Sequence, residues 1–390
     1  MHALDRSLSS HLRSAARSFP SLVVTGPRRS GKTYSLRRTF PDASYHLLED
    51  PDVLLRVRSD PRGWLEEIQV PAILDEIQNA PELFSYIRTL IDRAPRKTGQ
   101  WILTGSQDFS LMGGVTESLA GRAAVFHLLP LSQAELGRWD LLRGGYPEVW
   151  ARPRSASLWF SSYLETYLER DVRAVTAVRD LTTFRRFLSL VASRNGQILN
   201  KTDLASPLGV SVPTVTQWIS VLETTGVIHL VPPYFENFEK RLVKTPKLYW
   251  IDTGLLCHLL GFRDAPALER STFIGSVFEA FIASEIVKSQ ANRGRARELY
   301  YFRDQQGLEV DFLVPGDDGA LTFLEVKWSR TPTPDMAKGI RALLPRVERR
   351  QARGVVVYRG SKRAAGEGVG ALAPGVKAMT VEGYLASLGG

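Results

Sequence analysis

The stretch Gly26-Pro27-Arg28-Arg29-Ser30-Gly31-Lys32-Thr33 constrains this chain more than any other. Its two glycines permit a tight turn in which successive backbone N–H groups face one anion. Leu22–Thr25, just before it, is short and apolar, as expected of a strand buried on both faces. Thr33–Phe40, just after it, reads as a helix, whose first turn adds partial positive charge. Strand, glycine-rich turn and helix in that order make a phosphate cradle. Lys32 is then placed to reach the β and γ phosphates, and Thr33 offers a hydroxyl to Mg2+. Such a chain is expected to build a parallel α/β sheet around this turn and to bind ATP.

The surrounding pattern agrees. Short apolar runs at Leu22–Val24, Tyr45–Leu48, Ala72–Leu74, Trp101–Leu103 and Val125–Leu129 alternate with helical stretches. That predicts a three-layer α/β core. Pro71–Glu76 is an apolar strand ending in two acids. Asp75 is the candidate for holding Mg2+, and Glu76 for polarising the attacking water. The alternative is a pair of acids that simply opens a helix. A further strand ends in Thr104-Gly105-Ser106, where Ser106 is placed to sense a γ-phosphate. Arg122 and Arg170 are candidates for the cation that hydrolysis needs at its transition state. Either could instead be a structural ion-pair partner. If one acts from a neighbouring subunit, the protein forms a homo-oligomer.

The formal net charge of +9 and the pI of about 9.6 favour a polyanionic partner, with DNA first. Cys257 is the single cysteine and lies in an apolar run, which excludes a disulfide framework and a multi-cysteine zinc site. It fits a reducing, cytoplasmic setting. No run reaches the ~18 apolar residues needed to span a membrane. Arg6, Arg13 and Arg17 among serines resemble a transit peptide, but they lead directly into the cradle strand and read as the first helix.

From Leu158 to about Arg194 the period is helical. Lys201–Leu208, a turn at Gly209–Ser211 and Pro213–Leu222 have helix-turn-helix proportions, with Val215, Ile219 and Leu222 as the buried stripe. Ser211 is a good N-cap. Strands expected at Val227–Val231 and Leu248–Ile251 would complete a winged helix. Thr214 and Gln217 face outward, and Lys240, Arg241, Lys244 and Lys247 cluster near the wing tip, where basic residues suit phosphate contact. A winged helix used only for protein contacts is the competing reading.

The last region begins with a helix from about Phe273. It continues as strands at Leu299–Phe302, Leu308–Val314, Leu321–Lys327 and Gly354–Tyr358, with Gly366–Gly375 expected as a surface loop. Glu325 and Lys327 are two apart and share one face of their strand. A hairpin centred on Asp318 places Asp311 opposite Glu325. Two carboxylates so disposed can share a divalent metal (Mg2+ or Mn2+), with Lys327 orienting a hydroxide for attack on a phosphodiester. Glu279, on the preceding helix, is the candidate third ligand. Each has a plainer reading: exposed strand residues, a capping box of Ser276 with Glu279, or a cross-strand pair of Glu309 with Lys327.

Several segments carry a resemblance in order along almost the whole chain. They are the cradle 26–33, Leu-Asp-Glu-Ile-Gln (74–78), Leu-Thr-Gly-Ser (103–106), Leu-Ala-Gly-Arg (119–122) and Gly-Gly-Tyr-Pro-Glu (144–148). Tyr-Leu-Glu-Arg-Asp (167–171), Tyr-Trp-Ile-Asp-Thr-Gly-Leu (249–255), Glu-Val-Asp-Phe (309–312) and Glu-Val-Lys (325–327) follow. Together they resemble the bacterial and archaeal AAA-type P-loop ATPases that carry the C-terminal domain of unknown function 4143. The resemblance implies an ATPase core over 1–150, a helical linker and winged helix over 151–262, and a restriction-endonuclease-like α/β domain over 263–390. Val310 stands where the classical nuclease motif has proline. Two functions follow: an ATP-driven enzyme acting on DNA with nuclease potential, or an ATP-controlled switch whose nuclease-like domain binds without cutting.

Overall fold

Five strands form the first sheet: β1 (Ser21–Thr25), β2 (Ser44–Leu47), β3 (Ala72–Asp75), β4 (Trp101–Thr104) and β5 (Ala123–His127). All neighbours pair parallel, in the order β2-β3-β4-β1-β5. The structure is a computed structural model that describes residues 5–105, 117–168, 181–234, 244–347, 351–360 and 369–389. Strands β1, β3 and β4 are buried end to end, which is why they read as unbroken apolar runs. Leu8, Leu12 and Leu36 pack on Val24, Ile73 and Ile102 on one face, and Leu83, Phe84 and Ile87 on Val23, Leu74 and Leu103 on the other. The last strand starts two residues before its expected position, because Ala123 pairs with Ser21 at the start of β1. Strand β4 separates the cradle strand from the acid strand, so the carboxyl ends of all three open onto one edge.

The middle region is helical over Ala156–Tyr163 and Leu181–Ser193. Helices Lys201–Ala205 and Val212–Thr224 then flank the turn at Gly209. Ser211 caps the second of them by accepting from the Thr214 amide. Val215, Ile219 and Leu222 are buried as expected, and Trp218 joins them. Strands β6 (Ile228–Val231) and β7 (Lys247–Trp250) follow as an antiparallel pair.

Helix Ile274–Asn292 opens the last region. It leads to β8 (Tyr300–Arg303), β9 (Glu309–Pro315), β10 (Leu321–Lys327), β11 (Ala352–Tyr358), β12 (Val369–Ala373) and β13 (Val376–Thr380), a mixed sheet in the order β12-β13-β11-β10-β9-β8. The expected surface loop at Gly366–Gly375 is corrected in part. Residues 369–373 are the edge strand β12, paired antiparallel with β13, while 366–368 lie outside the described residues. Gly and Ala carry almost no strand preference, so a strand of Val-Gly-Ala-Leu-Ala leaves no signal in the sequence. One apolar core joins Trp218, Trp250, Phe278 and Leu324, so the middle region and the last sheet are packed as one body. Phe323, Ile340 and Val356 fill the other face of that sheet.

Candidate functional site

The cradle is built as its residue types require. Gly26 has φ 146°, and a Cβ there would stand 2.2 Å from the Leu128 carbonyl oxygen. Gly31 has φ 94° and opens the helix Lys32–Thr39. Arg29 holds φ 63° without being glycine, a strain on the order of 1 kcal/mol that tends to gather at functional turns. Pro27 is buried, Arg28 half-buried and Arg29 exposed. The Lys32 ammonium donates to the carbonyls of Gly26 at 2.9 Å and Pro27 at 3.0 Å, so it curls over the mouth of the loop.

Across the edge stands Asp75, 3% exposed at the end of β3. Its Oδ2 accepts from Thr33 Oγ1 at 2.7 Å and from the Tyr45 hydroxyl at 2.9 Å. Burial raises the Asp75 carboxyl, and the two hydroxyl donors partly offset this. Glu76 follows in the left-handed region, φ 56°, with its side chain taking the Gln78 amide. Asp75 ends the strand, and Glu76 stands between it and the short helical turn Ile77–Asn79. The hydroxyls of Ser30 and Thr104 are buried without a hydrogen-bond partner among the described residues. Orphaned donors beside a lysine and a hydroxyl–carboxylate pair fit a polyphosphate with a divalent ion.

Ser106 and Arg170 lie outside the described residues. Arg122 does not come near its own cradle. Its guanidinium is paired in a fork with Asp92, at 2.7 and 3.2 Å, and its carbonyl accepts the amide that starts β1. It therefore sits at the amino end of the sheet, about 15 Å of strand from the carboxyl edge. As a cation for this chain's own nucleotide it is corrected; only a neighbouring subunit's site remains open to it.

Sequence reasoning missed Arg6. It is 7% exposed and donates to Glu135 Oε1 at 2.8 Å, to the carbonyl of Ser30 at 2.8 Å and to that of Leu129 at 2.7 Å. It thus pins the cradle backbone. Two of its partners are carbonyls, which leave no mark in a sequence. The Gly-Gly-Tyr-Pro-Glu segment also meets the cradle: a Cβ on Gly31 would lie 3.9 Å from Pro147 Cγ. Buried Asp252 accepts from Gly145 N at 2.6 Å and from Leu255 N at 2.8 Å, so the two middle segments of the resemblance hold each other in place.

In the last sheet the hairpin register pairs Leu324 with Phe312, so the next step sets Glu325 across from Asp311. The Lys327 ammonium meets both, 2.7 Å from Glu325 Oε2 and 3.4 Å from Asp311 Oδ2. Asp311 Oδ2 also accepts from Val326 N at 2.8 Å. Burial and the neighbouring Asp311 push the Glu325 carboxyl up to about 8, and the Asp311 and Glu325 carboxylates help hold Lys327 charged. A single ammonium bridging two carboxylates stands where a small cation would, so this pair fits one divalent ion.

Glu279 does not complete a three-carboxylate shell. Its Oε1 is 2.5 Å from the Tyr249 hydroxyl and 3.8 Å from the Lys247 ammonium. No group of three or more His, Cys, Asp or Glu among the described residues is arranged to hold a metal. The capping box is absent too: Ser276 lies inside the helix and donates to Phe273 O. The cross-strand pair of Glu309 with Lys327 is not formed: Glu309 pairs with Lys247 and Arg303, and Lys327 with Asp311 and Glu325. Lys247 is 3% exposed and so is withdrawn from the wing set. Lys240 and Arg241 lie outside the described residues, Lys244 is exposed, Gln217 is exposed and Thr214 half-buried.

The parallel sheet, the cradle and the facing Thr33–Asp75 pair define a P-loop ATPase. Residues 18–137 match the AAA domain family, 138–265 a domain of unknown function (DUF8612), and 274–374 a domain of unknown function (DUF4143). Two mycobacterial relatives, "Uncharacterized protein Rv2008c" of Mycobacterium tuberculosis and "Uncharacterized protein Mb2031c" of Mycobacterium bovis, are each 33% identical over 369 residues, covering 92% of this chain and 80% of theirs. The chain belongs to this family of AAA-type P-loop ATPases with a C-terminal DUF4143 domain. Among solved structures, the Walker-type ATPase PABY2304 of Pyrococcus abyssi aligns over 66% of this chain and 96% of its own, with 15% identity and a TM-score of 0.43. No helix among the described residues is long and apolar enough to cross a membrane.

Proposed function

We propose that this ATPase hydrolyses ATP with Mg2+ to act on DNA, and that its last domain is of the endonuclease type. One observation carries the second half: Asp311 and Glu325, on different strands, meet the same Lys327 ammonium within 3.4 Å. That trio is what metal-assisted phosphodiester hydrolysis asks of a protein. A divalent ion between the carboxylates would supply a Lewis acid, and Lys327 would hold an incoming hydroxide or the developing charge. At the cradle, Lys32 and the loop amides would bind the phosphates, and Thr33 with Asp75 would hold Mg2+. Glu76 would orient the attacking water. The helix pair Lys201–Ala205 and Val212–Thr224 with the β6–β7 hairpin has winged-helix proportions. With the net charge of +9, it supports contact with DNA phosphates.

The test incubates the protein with Mg2+ or Mn2+, with and without ATP, on single-stranded, duplex, flap and four-way-junction DNA. Cleavage that Asp311→Asn abolishes, with ATP hydrolysis intact, supports the reading. A second reading is an ATP-controlled switch whose last domain binds DNA without cutting. The engagement of Glu279 by Tyr249 and Lys247 favours it, since it removes one acid from the cluster. Salt-sensitive DNA binding without cleavage under any condition selects this second reading.

A further inference from the structure

The C-terminal acid cluster contains residues that do not belong to its domain. Lys247 opens β7, in the middle region, and its side chain is almost wholly buried. Its ammonium lies 2.5 Å from Glu309 Oε1 and 3.8 Å from Glu279 Oε1, and 5.4 Å above the Tyr301 ring. Tyr249, two residues on, places its hydroxyl 2.5 Å from the same Glu279 oxygen. The ring of Tyr249 also packs on Phe312, beside Asp311, at 5.2 Å between centroids.

A lysine stem ordinarily lets the ammonium reach water. Holding it out of water is costly unless carboxylates surround it. Here they do, and the consequence falls on the carboxylates. Glu279 and Glu309 are spent on an internal cation, while Asp311 and Glu325 share the more exposed Lys327, whose side chain is 40% exposed. Hard divalent ions bind more tightly as carboxylate ligands are added.

We infer that Lys247 is a built-in cation of the C-terminal site, which keeps Glu279 and Glu309 out of any metal shell and confines divalent binding to the Asp311–Glu325 pair. The inference rests on the reading of that pair as metal ligands. Because Lys247 comes from the hairpin of the middle region, displacement of β7 would release both glutamates toward the site.

The experiment titrates Mn2+ calorimetrically into the full chain without nucleotide. Wild type, Lys247→Met and Lys247→Arg are each compared with the same protein carrying Asp311→Asn as its blank. The Asp311-dependent affinity for Mn2+ should rise about tenfold or more in Lys247→Met and stay near wild type in Lys247→Arg. If wild type shows Asp311-dependent binding and Lys247→Met binds no tighter, the role of Lys247 falls and the metal reading stands. If no variant shows Asp311-dependent binding, the metal reading falls and this inference with it. Lys247→Met takes one partner from Glu279, which keeps Tyr249, and one from Glu309, which keeps Arg303, and it can lower stability, so its melting is a second readout. About 1 mM Mn2+ should raise the melting temperature of Lys247→Met by several degrees, more than that of wild type. Adding Glu309→Gln should remove that gain. A Lys247→Met melt indifferent to Mn2+ would overturn the inference independently of the titration.

Discussion

Thr33 Oγ1 donates to Asp75 Oδ2 at 2.7 Å, joining the cradle to the acid strand across 42 positions of sequence. Both are oxygens of the kind that hard divalent ions take as ligands, and the hydrogen bond holds them side by side. Lys32→Ala should abolish tight ATP binding. Glu76→Gln should retain ATP binding and lower turnover ~10²–10⁴-fold, the range for loss of a general base. Nucleotide binding by fluorescence and phosphate release by a coupled assay separate the two effects. Normal turnover in Glu76→Gln would remove Glu76 from the mechanism.

Arg6 is a buried cation with three partners, one of them charged. Burial pushes the Glu135 carboxyl up, but Arg6 and the Ser132 and Ser7 amides outweigh it and hold it below its ordinary value. Arg6→Ala should cost about 3–5 kcal/mol in denaturant unfolding, as for any broken buried pair. It should also weaken ATP binding, since the Ser30 carbonyl loses its anchor. Arg6→Lys should recover only part of this, because an ammonium cannot copy the fork. Unchanged ATP affinity in a folded Arg6→Ala protein would show that the cradle is held without it.

His127 and His229 predict acid sensitivity. Burial first, and then the nearby Arg297, lower each imidazole from 6.5 to about 4. Between those values the unfolded chain takes up protons that the folded one refuses. Stability is therefore full above about pH 6.5 and lost as pH falls toward 4, by roughly 3 kcal/mol per histidine at most. His127 also shares a 2.8 Å hydrogen bond with Thr25, at the end of the cradle strand. His229→Phe should flatten the fall of chemical-denaturation stability over that window. An equally steep fall in His229→Phe would assign the effect elsewhere.

DNA binding should be governed by phosphate contacts. Log K should fall linearly with log[salt], and removing Lys240, Arg241 and Lys244 together should reduce the slope by roughly 3. Thr214→Ala and Gln217→Ala should change affinity little, because neither carries charge. Fluorescence anisotropy over a salt series measures both. A slope unchanged by the triple substitution would move the contact surface away from these three residues.

Much of this protein was legible along the chain because its signals are local. The cradle is eight contiguous residues after a buried strand, and φ values at Gly26 and Gly31 follow from the turn itself. A two-residue period put Glu325 and Lys327 on one face, and a short hairpin set Asp311 across from Glu325. What only the tertiary structure decided depends on groups far apart in sequence or on atoms every residue carries. Arg6 reaches its site through the carbonyls of Ser30 and Leu129, which no side-chain pattern reports. Arg122 reads equally as a catalytic cation or as a structural ion-pair partner, and the direction of β5 decides by putting it at the amino end of the sheet, against Asp92. Lys247 reads as one more wing lysine, and only the shared core of the middle and last regions turns it inward onto Glu279 and Glu309. A strand or a turn is fixed by neighbours in the chain. The partner of a buried charge is fixed by how separate elements pack, and that information appears only when the chain is folded.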